Sequence, residues 1–174
     1  NKVPALFNIL QEVEHKKVLI FCKTKYGADI IVNELEKASI TAASLHSGKT
    51  QVVREAALQN FKDANLRVLV ATDVAARGID VDNITLVINY NLPEDPRNYI
   101  HRIGRTARAG KSGMAISFAV ENDVRQLTNI ENSIGQVIPV ATEQPFHKEF
   151  SKAPKQVKKK KPVKRNNRTR AKKK

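Results

Sequence analysis

Short apolar runs alternate with helical patterns along this chain. Residues 18–22 (VLIFC) form a wholly apolar run, and residues 67–72 (RVLVAT) and 84–90 (ITLVINY) are two mainly apolar runs. Continuous apolar runs of this length are typical of strands that helices cover on both faces. Two weaker runs, residues 40–46 (ITAASLH) and 113–119 (GMAISFA), predict two further strands.

Apolar residues at helical spacing separate these strands. The spacing predicts helices at residues 4–15, 28–39, 51–63 and 123–135. A fifth helix is predicted to run through residues 97–103, with Asp95 as its N-cap and Pro96 at its first position.

Strands that alternate with helices predict an α/β fold, with a doubly wound parallel sheet and helices on both faces. Ligands of such sheets bind beyond the carboxyl ends of the strands. The loops at that edge are residues 23–27 (KTKYG), 46–51 (HSGKTQ) and 73–80 (DVAARGID). All three contain glycine and charged residues, and the first two also contain hydroxyl groups, so together they predict a binding site.

The formal net charge of +14 is concentrated at one end of the chain. Residues 151–174 hold 13 of the 31 Lys and Arg and no Asp or Glu, so the first 150 residues carry 18 basic and 17 acidic side chains. We therefore predict a folded domain at 1–145 and a disordered basic tail at 146–174. The tail favours polyphosphate partners, above all nucleic acid. An import signal or a solubilising tail stays open.

Several common sites lack the residues that they need. Residues 48–50 and 110–112 imitate the end of a phosphate-binding P-loop, but Ala43 and Arg105 occupy the positions of its other glycine. No GxGxxG follows the first strand, no GxSxG is present, and the four His are scattered. We therefore predict no metal site.

Cellular context is indicated by two further features. The only cysteine, Cys22, lies in an apolar run, which predicts a buried thiol and fits a reducing compartment. No apolar stretch approaches 18 residues, so the sequence predicts no membrane span. The chain begins at Asn1 without Met, and we expect it to be a piece of a longer protein.

Residues 99–113 (YIHRIGRTARAGKSG) repeat a positive charge every three positions. The cations are Arg102, Arg105, Arg108 and Lys111, and His101 lies beside them. On one helical face they would repel one another. The stretch is either a solvated basic face or a surface that binds a large anion.

Four segments resemble motifs of the DEAD-box RNA helicases. Residues 71–81 (ATDVAARGIDV) and 99–110 (YIHRIGRTARAG) are similar to motifs V and VI. Residues 19–25 (LIFCKTK) resemble motif IV, and residues 51–54 (QVVR) match the QxxR element. The resemblance covers about residues 1–140 and is to the second, C-terminal RecA-like domain. The segments TKYGAD and IENSIGQVIP are similar to the bacterial RhlE-type subgroup.

The resemblance implies roles in ATP hydrolysis. Arg105 and Arg108 correspond to the arginine fingers, which reach the γ-phosphate when the two domains close. Four further residues are implied at the ATP site: Gly78, Asp80, His101 and Arg102. ATP with Mg2+ would be bound mainly by the N-terminal RecA-like domain, whose P-loop this sequence lacks.

The resemblance also implies contacts with the RNA backbone. The residues concerned are Thr24, Gly27, Gln51, Arg54 and Thr72. Such contacts carry no sequence information. The family usually has Gly directly after the loop histidine, whereas this chain has Ser47 and then Gly48, so we leave this loop out of the RNA site.

We therefore expect the second half of a cytoplasmic ATP-dependent RNA helicase, inactive when isolated. Its expected partners are RNA and the N-terminal RecA-like domain, without a membrane. One alternative is a stand-alone RNA-binding or annealing module that acts through the basic tail. A DNA substrate is a third possibility, because backbone contacts do not exclude it.

Overall fold

The computed structural model describes residues 2–12, 17–106 and 113–149. Within them lies one parallel five-stranded sheet with the strand order β2-β3-β1-β4-β5. Its strands are β1 (Val18–Phe21), β2 (Ala42–Leu45), β3 (Val68–Ala71), β4 (Leu86–Asn89) and β5 (Met114–Ser117). All neighbouring strands run parallel. The predicted doubly wound parallel sheet is therefore confirmed.

The predicted helices are present, with shifts of a few residues at their ends. The helices are α1 (Val3–Glu12), α2 (Lys25–Lys37), α3 (Gln51–Lys62), α4 (Asp73–Ala76), α5 (Pro96–Ile103) and α6 (Val124–Ile134). Asp95 caps α5 as predicted, because its carboxylate accepts a hydrogen bond of 2.9 Å from the Arg97 amide. The short helix α4 and a 3-10 turn, Glu121–Asp123, were not predicted, because segments of three or four residues are too short to show a helical spacing of apolar residues.

Helices cover both faces of the sheet, which explains the wholly apolar strands. Along β1, Val18 and Ile20 pack with α1 and α2. The alternate residues Leu19 and Phe21 pack with α3 and α4. A smaller cluster joins α5 to α6 through Tyr99, Leu127 and neighbouring apolar residues. Cys22 is a buried free thiol, as predicted.

The chain continues to pack against the domain after α6. The side-chain amide of Asn8 in α1 donates a hydrogen bond of 2.9 Å to the Gln144 side chain. The domain boundary at residue 145 stays a prediction. The basic segment 151–174 lies outside the described residues, as do Arg108 and Lys111.

Core packing of α3 generates a stability prediction. Phe61 is fully buried, so Phe61→Ala is expected to lower the free energy of unfolding by about 3–5 kcal/mol. In the same helix Val52 is 76% exposed, and Val52→Ala should change it by less than about 0.5 kcal/mol. Urea unfolding of both variants provides the measurement. Equal, small losses would show that α3 is not part of the core.

Candidate functional site

The parallel strands all end at one edge of the sheet. We call this edge, together with the residues that follow β1, β2, β3 and β4, the carboxyl edge. The strands β1 and β4 are neighbours in the sheet. The chain leads from β1 to β2 at one end of the strand order and from β4 to β5 at the other end. A crevice at such a point is where ligands bind in open α/β sheets. Asn91, after β4, bridges it, since its side-chain oxygen accepts hydrogen bonds from the Lys23 amide (3.1 Å) and the Cys22 thiol (3.6 Å).

The guanidinium of Arg102 connects the elements at this crevice. Its Nε and Nη2 donate to the two carboxylate oxygens of Asp73 at 2.6 and 2.7 Å. Its Nη1 donates to the Asn89 side chain (3.0 Å) and to the Asn91 carbonyl (2.7 Å). The guanidinium carbon also lies 5.0 Å from the centre of the Phe21 ring. Arg102 therefore joins α5 to β1, β4 and the start of α4.

Arg105 lies just past the C-terminal end of α5 and contacts the loop after α4. Its Nη1 donates a hydrogen bond of 3.0 Å to the Ile79 carbonyl. On either side of Ile79 lie Gly78 and Asp80, both exposed. Gly78 has a φ of 78°, which L side chains rarely adopt. A guanidinium, a glycine turn and a carboxylate therefore come together, a set that could bind a phosphate and hydroxyl groups.

Three helices begin at the other part of the carboxyl edge. The Thr24 hydroxyl caps α2 by accepting a hydrogen bond of 3.0 Å from the Gly27 amide. A Cβ on Gly27 would lie 2.9 Å from both the Thr24 hydroxyl and the Cys22 sulfur, so a larger residue does not fit. Thr72 precedes α4, where its side chain makes no capping hydrogen bond. Helix starts with exposed hydroxyl and amide groups favour anions.

The start of α3 contributes an arginine to the same edge. Arg54 Nη1 donates to the Gln51 side-chain oxygen at 3.2 Å. In the part of the chain that the structure describes, the buried Nε of Arg54 has no acceptor. An anion beside α3 would supply one.

A buried histidine holds the loop that leads into α3. His46 Nε2 lies 3.1 Å from each carboxylate oxygen of Asp29, and Nδ1 accepts from the Gly48 amide at 3.1 Å. Asp29 also accepts from Ser44 (2.5 Å) and pairs with Lys49 (3.0 Å). Burial by itself would raise the pKa of Asp29, but hydrogen bonds from Ser44, His46 and Lys49 lower it to about 2. Asp29 is therefore a carboxylate at neutral pH.

Comparison with known families identifies the chain. Residues 1–110 match the family described as the helicase conserved C-terminal domain. The chain belongs to this family.

Curated relatives of this helicase domain are longer proteins. The domain is 44% identical over 140 residues to the ATP-dependent RNA helicase DBP8 of Meyerozyma guilliermondii, and this alignment covers 79% of the chain and 32% of DBP8. It is 43% identical over 130 residues to the ATP-dependent RNA helicase FAL1 of Phaeosphaeria nodorum, and this alignment covers 75% of the chain and 35% of FAL1. The chain thus spans about a third of the length of these relatives.

Solved structures show the same RecA-like fold. The E. coli DEAD-box protein SrmB bound to the regulator RraA superposes with a TM-score of 0.79 at 34% identity, over 86% of this chain and 90% of that chain. S. cerevisiae Dbp5 bound to RNA and ADP BeF3 gives a TM-score of 0.73 at 31% identity, over 82% and 39%. The helicase domain is therefore of the DEAD-box type. Since these relatives are fungal and bacterial, the RhlE-type subgroup stays a prediction.

The helicase domain arranges the motif VI-like cations differently from the expected helical face. The helix α5 ends at Ile103, so Arg105 does not lie on a helical face with Arg102. Arg102 is only 3% exposed and pairs with Asp73 rather than repelling its neighbours. The expectation of a shared cationic face is wrong for these two residues. His101 is exposed as a cleft residue would be, and Arg108 lies outside the described residues.

The buried position of Arg102 also changes its expected role at the ATP site. Its guanidinium donates to Asp73, Asn89 and Asn91, so a direct contact with nucleotide would break bonds inside the domain. Sequence reasoning missed Asn89, Asn91 and the pair of Asp29 with His46. For Asn89 a signal existed, because a buried polar residue at the end of an apolar strand needs a partner.

Two classes of site are absent from the described part of the domain. Among residues 2–12, 17–106 and 113–149, no group of three or more His, Cys, Asp and Glu side chains could hold a metal ion. Over the same ranges, no helix has the length and apolar character needed to cross a membrane.

The Arg102–Asp73 pair generates a second stability prediction. Arg102→Met is expected to lower the free energy of unfolding by about 3 kcal/mol, because Asp73 and Asn89 lose a donor. A double-mutant cycle with Asp73→Asn should give a coupling energy above about 1 kcal/mol. The control is Arg97→Met in the same helix, where the pair with Asp95 leaves the arginine 82% exposed. A coupling energy near zero would contradict the structural role of the pair.

Proposed function

We propose that this domain is the second RecA-like half of an ATP-dependent RNA helicase that unwinds RNA duplexes locally. One observation carries the proposal: Arg105 lies beside Gly78 and Asp80 on the same sheet edge as the starts of α2, α3 and α4. Support comes from the curated relatives, which are named ATP-dependent RNA helicases, and from Dbp5, which was solved with RNA and ADP BeF3.

On the nucleotide side, Arg105 and Arg108 act as arginine fingers. A guanidinium neutralises the charge that develops on the phosphoryl oxygens, and its planar fork does so in a bidentate way. Gly78 and His101 line the nucleotide, and the Asp80 carboxylate suits ribose hydroxyl groups. Arg102 acts indirectly, because it holds Asp73 at the start of the loop that carries these residues.

The rest of the ATP site belongs to a partner domain. We assign Mg2+ and the P-loop to an N-terminal RecA-like domain, because residues 48–50 and 110–112 of this sequence lack the other glycine of a P-loop. Closure of the two domains brings the arginines to the triphosphate. The isolated domain is therefore inactive in this proposal.

On the RNA side, five residues contact the backbone of one strand: Thr24, Gly27, Gln51, Arg54 and Thr72. Helix starts and a guanidinium bind phosphates without regard to sequence. The buried Nε of Arg54, which lacks an acceptor within the described residues, favours a phosphate beside α3.

Two finer assignments belong to the same proposal. We place the protein in the bacterial RhlE-type subgroup because of the segments TKYGAD and IENSIGQVIP, and in the cytoplasm. The parental reading frame tests the helicase proposal, because a P-loop domain should lie upstream, and the sequence of that domain tests the subgroup. Fluorescence imaging of the tagged parent tests the location.

RNA-stimulated ATPase of the two-domain parent tests the function directly. Stimulated hydrolysis together with duplex unwinding supports a helicase. Annealing of RNA without any ATPase would support the alternative, an RNA-binding module that acts through its basic tail.

Replacement of Arg105 generates a kinetic prediction for the two-domain parent. Arg105→Ala should lower kcat for ATP by roughly 100-fold or more, as loss of an arginine finger does. Arg105→Lys should stay nearly as slow, because an ammonium cannot reproduce the planar fork. RNA affinity measured without nucleotide should not change, and the lost bond to the Ile79 carbonyl should cost about 1 kcal/mol of stability.

Arg97→Ala is the control, because Arg97 is an exposed arginine in α5, the helix that precedes Arg105. Its ATPase should equal that of the wild-type protein. Normal hydrolysis by Arg105→Ala, or full replacement by Lys, would instead support a solvated basic face.

Removal of residues 151–174 generates a prediction about salt. This segment carries 13 cations, and binding to single strands changes the log–log salt slope by about −0.7 for each phosphate neutralised. Truncation should therefore weaken binding for all RNA sequences alike and flatten the slope by several units. Fluorescence anisotropy over a range of salt concentrations provides the measurement. An unchanged slope would mean that the tail does not bind RNA.

A further inference from the structure

A buried hydrogen-bonded link connects α2 to the loop that begins α3. This Asp29–His46 link consists of Asp29 in α2, His46 after β2 and the Gly48 amide. His46 is 3% exposed, and both of its ring nitrogens are engaged. Nδ1 accepts from an amide, so the neutral ring carries its proton on Nε2 and donates it to Asp29.

Asp29 binds side chains from both the loop and the strand that precedes it. Its carboxylate also receives the hydroxyl of Ser44 and the ammonium of Lys49. Asp29 lies one helical turn after Lys25, the first residue of α2. The beginning of α2 and the loop from His46 to Lys49 are therefore tied to the same side chain.

Gly48 packs closely against the imidazole. A Cβ at this position would lie 3.0 Å from His46 Nδ1 and 3.2 Å from Cε1, closer than ordinary contact allows. The side-chain stem of Lys25 lies 3.5 Å from the same point. This packing gives a physical reason for the order Ser47-Gly48, which departs from the glycine directly after histidine that the family usually has.

The loop continues directly into the residues proposed to bind RNA. The Thr50 hydroxyl caps α3 by accepting from the Val53 amide at 3.4 Å, and Gln51 and Arg54 follow in the first turn. Thr24 and Gly27 occupy the corresponding start of α2. The distance between the two helix starts decides whether both can contact the same RNA backbone.

We propose that the Asp29–His46 link positions the start of α3 against the start of α2, so that both contact one RNA strand. His46 and Asp29 are positioning residues in this assignment, which rests on the proposed RNA function. They do not themselves touch RNA.

Substitution of His46 distinguishes this role from simple core packing. The link makes two separate bonds, from Nε2 to Asp29 and from the Gly48 amide to Nδ1, so each can be removed alone. Loss of either bond releases the loop from α2 while the apolar core stays unchanged. RNA affinity should therefore fall in both cases.

The test uses the full 174-residue chain, a 12-nucleotide oligouridine and moderate salt, which reduces the contribution of the tail. His46→Asn keeps an acceptor for the Gly48 amide but loses the bond to Asp29, and His46→Gln keeps a donor for Asp29 but loses the bond from the Gly48 amide. Both variants should bind RNA roughly fivefold more weakly than the wild-type chain, the equivalent of one hydrogen bond.

Two controls separate the possible failures. His147→Asn removes a histidine outside the site and should keep the wild-type affinity. Arg54→Ala tests the RNA surface itself: if it leaves affinity unchanged, the proposed RNA site fails. If Arg54→Ala weakens binding while both His46 variants behave like the wild-type protein, the link has no positioning role and the RNA proposal stands.

Amide NMR of Asp29→Ala decides the matter even if the His46 variants do not fold. This variant keeps the bond from the Gly48 amide to the ring but removes the bond from the ring to α2. RNA-induced shifts at the Gln51 and Arg54 amides should be smaller than in the wild-type chain. Equal RNA-induced shifts in a folded Asp29→Ala variant would overturn the proposal.

Discussion

The carboxyl edge of this domain depends on one buried guanidinium. Arg102 can connect several elements because arginine presents five donors in a fixed plane. Two of them meet the Asp73 carboxylate, and another serves Asn89 and the Asn91 carbonyl. A buried guanidinium without these acceptors would strongly lower the free energy of unfolding, because its charge would be uncompensated. The start of α4 and the end of β4 are therefore tied to the position of α5.

That constraint explains how short strands can support a polar edge. Each strand has only four residues, so the sheet core ends just below the loops. The loops are held by polar contacts to buried or half-buried side chains, of Arg102 on one side of β1 and of Asp29 on the other. In both places a carboxylate receives several donors, which fixes its neighbours, and at Asp29 the donors also lower the pKa to about 2. The exposed hydroxyl, amide and guanidinium groups then have defined positions.

Two features of the edge follow from glycine at particular positions. Gly78 adopts a φ of 78°, which lets the chain turn beside Arg105, whereas Gly27 and Gly48 leave little space for a side chain next to a sulfur or an imidazole. The same residue type therefore has two different physical roles here. At Gly48 the close neighbour is a protein side chain, the imidazole of His46.

Apolar pattern alone determined the strands, the long helices and the parallel sheet, because burial on both faces leaves continuous apolar runs such as VLIFC. It also predicted which loops meet at one edge, since parallel strands end together. Charge spacing did not predict where cations point: α5 ends at Ile103, and only packing decided that Arg102 lies inside and pairs with Asp73. The link from Asp29 to His46 escaped prediction for the same reason. Its two residues are separated along the chain, and only the fold brings the carboxylate to the imidazole.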